Sequence, residues 1–257
     1  MSDTPRRVFI AIPSDLDAVK VNTMVCILDG VLEAFAANIL CCIKGYAGIR
    51  PISNCRNFAL AEFLASECDE LVFLDDDIVW EKGAFLKLLS YPVDLVMGIY
   101  PYRADPLGFP VRFDASKPTL TGDPATGLLA IEGAGFGFVR MTRACAQKMW
   151  DAHAHLAYPE KGAPGGNARM LFQLNVMEDG VLWSEDMLFC RRWRKLGGQV
   201  WLDPDITFVH IGNKGFAGNL GQFLKQREQR RQTQERAEKA LADAEALFAK
   251  PAGSSAA

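Results

Sequence analysis

The chain has 257 residues, of which 49% are hydrophobic, and its formal net charge is -3. This length and composition suffice for one sizeable core, and the mild negative charge offers no general attraction to nucleic acid. Seven cysteines without a CxxC pair indicate reduced thiols, and neither they nor the histidines (His153, His155, His210) have zinc-ligand spacing. No signal peptide and no bilayer-spanning apolar run is visible, so we expect a cytoplasmic protein.

The N-terminal part of the chain alternates between apolar runs and segments of helical periodicity. Strands are predicted at residues 8–12, 39–43, 71–74 and 93–100, and helices at residues 22–37, from a cap at Ser53 or Asn54 to residue 67, and at residues 81–89. This alternation predicts an α/β fold with a mostly parallel central sheet and helices on both faces. In the first helix Asn22 is the expected N-cap, and the side chains expected to face the core are Met24, Ile27, Leu28, Val31, Leu32 and Phe35.

Three consecutive carboxylates, Asp75, Asp76 and Asp77, follow the predicted strand at residues 71–74. Neighbouring like charges repel, and carboxylates are rarely buried without a counter-ion. A hard divalent cation such as Mg²⁺ or Mn²⁺ takes oxygen ligands and is often shared between carboxylates and substrate phosphates. The triplet alone is compatible with such a site and equally with an acidic turn that faces water.

Two further features lie at or near the carboxyl ends of the predicted strands, where open α/β sheets bind ligands. Pro13, Ser14 and Asp15 end the first predicted strand, and they form either a ligand loop or an ordinary connection to the next helix. Arg56 lies near the start of a predicted helix, where the helix dipole disfavours a cation. It is therefore either a partner for a phosphate or for the acidic loop, or a surface arginine that extends to solvent.

The second half of the chain adds a glycine-rich strand and a second acidic pair. Gly133, Gly135 and Gly137 alternate along a predicted strand at residues 128–139, which indicates close approach by a backbone or ligand. Residues 157–169 predict a long loop, either disordered or a mobile cover over a site. Ser184 predicts a helix N-cap with Glu185 and Asp186 in the first turn, and capping alone explains that pair. Strands are predicted at residues 200–202 and 207–209, with His210 at the end of the last one.

These pieces occur in one order: the three aspartates, the glycine-rich strand, Ser184-Glu185-Asp186 opening a helix, Gly197-Gly198, and the terminal His210. In that order they resemble the glycosyltransferases of the GT-A fold, and in particular the family 2-like enzymes with a DxD motif. The resemblance spans residues 8–212. It implies a nucleotide-sugar donor, with a UDP-sugar as the first expectation, and a carbohydrate, lipid-linked or protein acceptor.

The resemblance also implies roles for individual residues. Asp77 matches the most direct metal ligand, Asp75 would hold the ribose or the metal, and Asp76 occupies the variable middle position of the donor site. His210 matches a histidine that completes the metal site, and an imidazole ligand would favour Mn²⁺ over Mg²⁺. Donor contacts are implied for Pro13, Ser14, Asp15 and Arg56. Asp186 is the implied catalytic base, with Glu185 as the alternative, and such a base would invert the anomeric centre.

Other functions are compatible with parts of this pattern. Residues 75–79 also satisfy DxDxV, which resembles the nucleophile motif of haloacid dehalogenase-type phosphatases, although here two predicted strands precede it. A nucleotidyltransferase of similar fold would release pyrophosphate rather than a nucleoside diphosphate. A nucleotide- or sugar-binding protein without turnover is the alternative from another class.

The composition changes after Gly212. Residues 222–250 contain no glycine and predict a long helix, whose first half is basic and solvent-exposed. Its second half carries a thin apolar stripe for packing on the domain or on another subunit, at Ala237, Leu241, Ala244, Leu247 and Phe248. Acids are interspersed with the basic residues, so we do not expect membrane contact. We therefore divide the chain into a GT-A domain at residues 1–220, a helical extension at 221–250 and a disordered tail at 251–257.

Overall fold

The computed structural model describes residues 4–116, 122–177 and 180–248. Its strands are β1 (Arg6–Ser14), β2 (Ile39–Ala47), β3 (Glu70–Leu74), β4 (Ile78–Trp80), β5 (Leu95–Gly98), β6 (Val111–Arg112), β7 (Leu129–Ile131), β8 (Gly133–Ala134), β9 (Phe138–Thr142), β10 (Ala157–Pro159), β11 (Asn167–Arg169), β12 (Asn175–Val176), β13 (Leu182–Trp183), β14 (Val200–Asp203), β15 (Thr207–Ile211) and β16 (Gly215–Asn219). Its α-helices are α1 (Val21–Ala36), α2 (Ile52–Ala65), α3 (Ala84–Ser90), α4 (Arg143–Ala152), α5 (Glu185–Lys195) and α6 (Leu220–Phe248).

A central sheet of seven strands organises the molecule, in the order β2-β1-β3-β9-β5-β14-β7. β1 is parallel to both β2 and β3, and β5 is parallel to β14, whereas β9 and β7 are antiparallel to their neighbours. β9 lies between β3 and β5 and is antiparallel to both, so β3 and β5 run in the same direction. Five of the seven strands, β1, β2, β3, β5 and β14, therefore run in one direction. The prediction of a mainly parallel α/β sheet is confirmed.

Helices cover both faces of this sheet, as predicted. On one face α1 and α3 pack through Ile27, Phe85 and Leu88 against the side chains of β1 and β3 that alternate with those of the other face. On the other face α2, α4 and α5 bury a larger cluster that contains Phe63, Met149 and other aromatic and aliphatic side chains. Successive side chains of β1 and β3 point to opposite faces of the sheet and therefore contribute to two separate apolar cores.

The orientation of α1 differs from the prediction. Of the six apolar side chains expected to face the core only Ile27 is fully buried, and the side chains of α1 that accompany it inside are Thr23, Gly30 and Ala34. A Cβ atom added to Gly30 would lie 3.0 Å from Cβ of Phe85, so the helix packs on α3 through its small residues. The prediction of a helix is confirmed, but most of its large apolar side chains lie on a stripe that faces outward, next to the stripe that is buried. Asn22 is not the N-cap, which is Lys20 without a side-chain hydrogen bond.

The second half of the chain also departs from the prediction in detail. The strand expected at residues 128–139 is broken into β7, β8 and β9: β7 and β9 belong to the central sheet, whereas β8 pairs with β6. The loop expected at residues 157–169 contains the antiparallel pair β10 and β11. The strand β16 was missed, and it forms a small antiparallel sheet with β15 and β4. In α2 the N-cap is Pro51 rather than Ser53 or Asn54.

The last helix leaves the body of the domain after one turn. Leu220 is buried, Phe223 and Leu224 pack against the larger core, and the described side chains from Lys225 onward are exposed. The expectation of an exposed first half is confirmed. Ala237 is exposed, whereas the side chains of Leu241, Ala244, Leu247 and Phe248, and residues 251–257, lie outside the described part. No helix in the described ranges combines the length and the apolar character needed to cross a membrane.

Candidate functional site

A cavity of about 940 Å³ opens at the carboxyl ends of β1 and β3. The loop that follows β1 and the loop that follows β3 line it together, since parallel neighbours end at the same edge of the sheet. The polar and proline residues in its wall include Pro13, Ser14, Asp15, Lys20, Arg50, Asp75, Asp76, Asp77 and Arg103. The three aspartates and the 13–15 loop thus share one concave surface, and three cationic side chains share it with them.

Asp77 meets His210 because of the register of the small sheet. His210 of β15 is paired with Ile78 of β4, and the backbone N–H of Ile211 donates to the carbonyl of Asp77 at 2.8 Å. This pairing brings Nε2 of His210 to 3.4 Å from Oδ1 of Asp77. Asp77 is only 8% exposed. Its second carboxylate oxygen forms an ion pair with the guanidinium of Arg103.

The imidazole of His210 is held in one tautomer. Its Nδ1 lies 2.8 Å from the carbonyl oxygen of Pro101, so Nδ1 carries the hydrogen and donates it. Nε2 then carries the lone pair, which accepts a hydrogen bond from Nε of Arg103 at 2.8 Å. Burial, with a further contribution from Arg103, lowers the pKa of His210 and keeps the ring neutral. A neutral imidazole oriented by a backbone carbonyl is the form in which histidine binds metals.

Asp77 and His210 offer one carboxylate and one imidazole. No three His, Cys, Asp or Glu side chains of the described ranges come together as a complete metal site. Mn²⁺ and Mg²⁺ at phosphate-binding sites commonly take one or two protein ligands, with water and substrate phosphates completing the coordination. The donor atoms present therefore fit such a cation when a diphosphate is bound with it. The guanidinium of Arg103 has to leave Asp77 and His210 for the cation to reach them.

Arg56 joins the acidic strand end to the acidic helix. It is 2% exposed, so the surface position considered from the sequence is wrong. One guanidinium nitrogen contacts Asp186 and lies 2.8 Å from Oε1 of Glu185, and the other lies 3.4 Å from Oδ1 of Asp75. Burial opposes the charge of Arg56, but the three carboxylates outweigh it and raise the pKa of the guanidinium. Arg56 is thus engaged with the acidic loop, and it is its neighbour Cys55 that lines the cavity.

The side chain of Asp75 points toward Arg56. Its Oδ2 accepts a hydrogen bond of 2.5 Å from the hydroxyl of Tyr100, and its backbone N–H donates to the carbonyl of Gly137 at 2.9 Å. Burial and the adjacent Asp75 raise the pKa of Tyr100 well above its ordinary value, so the phenol stays protonated as a donor. Both carboxylate oxygens of Asp75 therefore have partners other than Asp77 and His210, the residues expected to share a cation with it.

Gly137 is required by this arrangement. A Cβ atom at position 137 would lie 2.2 Å from Oδ2 of Asp75 and 2.3 Å from the hydroxyl of Tyr100, closer than any real contact. The alternating glycines were predicted to mark close approach by a backbone or ligand. At Gly137 the approaching groups are instead the side chains of Asp75 and Tyr100, and a Cβ atom added to Gly135 would meet nothing closer than 3.7 Å.

We expect Gly137→Ala to lower the free energy of unfolding by about 1–3 kcal/mol, as over-packing at buried sites does. Gly135→Ala is the matched control two residues away, where the nearest atoms would be 3.7 Å from the added Cβ, and it should change stability little. Urea denaturation of both variants measures the difference. Equal losses in the two variants would contradict the steric argument.

The electrostatics of Asp186 differ from the expectation. Ser184 caps α5 as predicted, its hydroxyl accepting from the N–H of Met187, and this places Glu185 and Asp186 in the first turn. The helix N-terminus was expected to favour the carboxylate. Burial instead raises the pKa of Asp186 to about 7, with Glu185 and Asp75 adding to the rise, against the opposing effects of Arg56 and of the Phe136 N–H at 3.3 Å from Oδ2. Desolvation outweighs the helix dipole here.

Asp76 and the 13–15 loop form the remaining wall of the cavity. Burial raises the pKa of Asp76, a hydrogen bond with Ser14 opposes that rise, and the carbonyl of Asp76 accepts from the N–H of Lys20. Asp15 forms an ion pair with Arg50. Asp76, the variable middle position of the triplet, is therefore hydrogen-bonded to the loop that follows β1.

Sequence reasoning missed four residues of this site: Lys20, Arg50, Tyr100 and Arg103. Arg50, Tyr100 and Arg103 follow strands that reach the same edge of the sheet, whereas Lys20 is the N-cap of α1. Arg50 lies three residues after β2, and Tyr100 and Arg103 follow β5. A rule that collects polar residues after every parallel strand would have found Arg50, Tyr100 and Arg103.

Comparison with known proteins supports the fold. No family model and no curated protein sequence matches this chain. Twenty-six chains of solved structures do match. One of them is A197 from STIV, with a TM-score of 0.50 and 19% sequence identity, and the match covers 84% of this chain and 91% of that one. This similarity identifies a related arrangement of strands and helices, and at this identity it says nothing about activity.

Proposed function

We propose that the protein is a metal-dependent glycosyltransferase of the GT-A fold that moves a sugar from a nucleoside diphosphate donor to a hydroxyl acceptor. The observation that carries this proposal is the continuity of two sites. A cavity lined by three consecutive aspartates and three cationic side chains is joined, through Asp75 and Arg56, to a carboxylate whose pKa lies near neutrality. A donor site and a general base side by side are what glycosyl transfer to a hydroxyl requires.

The cavity suits a nucleoside diphosphate. Its volume of about 940 Å³ is in the range of cofactor sites, and its position at the strand ends is where α/β sheets bind nucleotides. Lys20, Arg50 and Arg103 supply positive charge for the phosphates. Ser14 and Asp15 offer a hydroxyl and a carboxylate for the base or the ribose, and a UDP-sugar is the first candidate donor.

Asp77 and His210 are the residues that would hold Mn²⁺ or Mg²⁺, with the neutral Nε2 of His210 favouring Mn²⁺. When bound, such a cation neutralises charge on the departing diphosphate. Arg103 sits on both ligands and is half exposed, so it can move from Asp77 to the phosphates as the donor enters. The guanidinium of Arg103, which pairs with Asp77 in this structure, would then contact the phosphates of the substrate.

Asp186 is the proposed base. With a pKa of about 7 it is substantially ionised near neutral pH and basic enough to accept the proton of an attacking hydroxyl. Arg56 and the Phe136 N–H hold its two oxygens and orient them. A base acting on the acceptor from the side opposite the leaving group gives inversion at the anomeric carbon. Glu185, 2.8 Å from Arg56, is the alternative base.

A panel of UDP-, GDP- and TDP-sugars, incubated with the protein and Mn²⁺ with and without a chelator, tests the function. We expect one nucleotide family to be hydrolysed or transferred with release of the nucleoside diphosphate, and activity to be lost with the chelator and in Asp77→Ala. Release of pyrophosphate would indicate nucleotidyl transfer instead. Failure of every nucleotide sugar to bind or react would overturn the proposal, as would full activity in Asp77→Ala.

Mn²⁺ binding tests the metal site without turnover. It is followed by the electron paramagnetic resonance signal of the free ion, both with and without nucleoside diphosphate. Asp77→Ala should weaken binding, because it removes a carboxylate ligand. Arg103→Met should strengthen binding in the absence of nucleotide, because it removes the cation that competes for Asp77 and His210. Equal affinities in the wild type and in both variants would rule out this pair as ligands.

A further inference from the structure

The outward side of α1 and the edge of β2 form a continuous apolar surface. It consists of Val21, Met24, Val25, Leu28, Leu32, Phe35 and Ile43, each between 40% and 78% exposed, and we call it the α1–β2 face. The six helical residues recur at spacings of three, four and seven, so they form one stripe along the helix. The exposed stripe lies beside the buried stripe of α1, which consists of Thr23, Ile27, Gly30 and Ala34. The helix therefore packs on its own domain through the buried stripe, and its second apolar side faces outward.

The helix stripe is continuous with the edge strand. A hollow of about 570 Å³ lies between them, lined by Val21, Met24 and Val25 of α1 and by Ile43 and Gly45 of β2. Soluble monomers rarely expose apolar patches larger than a few hundred Å². Each partner of a standard interface buries about 800 Å², and these seven residues together with the strand backbone make up a surface of that order.

β2 itself is open for pairing. It is the outermost strand of the central sheet, its nine residues run in unbroken register with β1, and no described strand pairs with its outer edge. Natural edge strands are usually protected by proline, bulges or outward lysines. β2 contains no proline, and the ammonium group of its one lysine, Lys44, is drawn away into an ion pair with Glu62. A long, regular, unprotected edge beside an apolar helix is a template for another strand.

We propose that a second copy of this chain covers the α1–β2 face, with β2 of the two copies pairing antiparallel across a two-fold axis and the α1 helices packing side by side. The open strand argues for a partner that offers a strand of its own, and a two-fold axis gives every residue of the patch an identical patch to meet. α1 contains no lysine or arginine and carries Asp29 and Glu33, so it lacks the cations with which interfacial helices bind anionic lipid. This proposal does not depend on the proposed function.

Light scattering after size exclusion, over a range of micromolar concentrations, measures the oligomeric state of the full chain. We expect a dimer for the wild type and a monomer for Leu32→Glu, because two buried glutamates would face each other across the axis. Leu182→Glu is the matched control: Leu182 is 62% exposed against 65% for Leu32, but it lies on β13, away from the face. It should remain dimeric, and thermal unfolding should show both variants to be folded.

Hydrogen exchange separates strand pairing from helix contact alone. In the wild type the outward amides of β2 should be protected at concentrations where the dimer forms, and in Leu32→Glu they should exchange rapidly. A wild-type monomer at every concentration would overturn the proposal. So would a dimer that survives Leu32→Glu, which would move the interface to another surface such as α6, or a dimer whose outward β2 amides exchange freely. Binding of monomers to phosphatidylcholine vesicles that Leu32→Glu abolishes would assign the face to lipid and equally overturn it.

Discussion

Replacing Arg56 by methionine should destabilise the protein by about 3–5 kcal/mol at pH 8, the cost typical of removing one partner of a buried ion pair. Arg56 is 2% exposed and is the shared counter-ion of Asp75, Glu185 and Asp186. Methionine fills most of the same volume without charge. The loss in the free energy of unfolding therefore reports the cost of leaving the carboxylates without a counter-ion rather than the cost of a cavity. Urea denaturation gives the change in the free energy of unfolding.

The loss should depend on pH with a definite sign. The pKa of Asp186 is already raised in the folded protein, and removing Arg56, which opposes that rise, raises it further. A folded-state pKa above the unfolded value means that stability is retained at low pH and lost as pH rises through the folded pKa. The difference between wild type and Arg56→Met should therefore be smaller at pH 5.5 than at pH 8.

Arg7→Met and a double variant serve as controls. Arg7 forms an exposed ion pair with Glu67, and its replacement should cost less than about 1 kcal/mol at either pH. Adding Asp186→Asn to Arg56→Met should recover part of the stability, because it removes one of the stranded charges. If Arg56→Met were as stable as Arg7→Met at pH 8, Arg56 would not be the central cation of the site.

The sequence predicted those parts of the site that depend on local order. Apolar runs located the strands, the Asp75-Asp76-Asp77 triplet stood at a strand end, and Ser184 placed Glu185 and Asp186 in the first turn of α5. Each inference rests on residues that are adjacent in the chain. The alternating glycines did mark a close approach at Gly137, but the approaching groups are the Asp75 and Tyr100 side chains from distant parts of the chain rather than the backbone or ligand that the pattern predicted.

What was missed depends on long-range packing. Helical periodicity identifies which side chains share a face, but it does not say what that face meets, so the apolar stripe of α1 was assigned to the core although it points outward. The resemblance implied that His210 and Asp77 belong to one metal site, but the residue pattern alone does not show what brings them together: their contact follows from the register of β15 with β4, more than a hundred residues apart in the chain. The raised pKa of Asp186 follows from burial, which outweighs the helix dipole that the sequence did reveal.

Asp186→Asn should reduce kcat by about 10²–10⁴-fold, the range that a positioned general base contributes. The affinity for the nucleoside diphosphate should change little, because the cavity proposed to hold the donor is lined by the loops after β1 and β3 rather than by Asp186. The measurement is steady-state turnover of the donor found by the nucleotide-sugar panel, together with calorimetric binding of the nucleotide. A loss of binding equal to the loss of kcat would show a structural role.

The pH dependence of kcat/KM provides a signature that a structural role cannot imitate. A base must be unprotonated to act, so wild-type kcat/KM should rise with pH up to the pKa of Asp186, about 7, and level off above it. This limb should disappear in Asp186→Asn and persist in Glu185→Gln, whose residual activity should exceed that of Asp186→Asn. If Glu185→Gln instead removed the limb while Asp186→Asn kept it, the base would be Glu185, and Asp186 would serve to hold Arg56 in place.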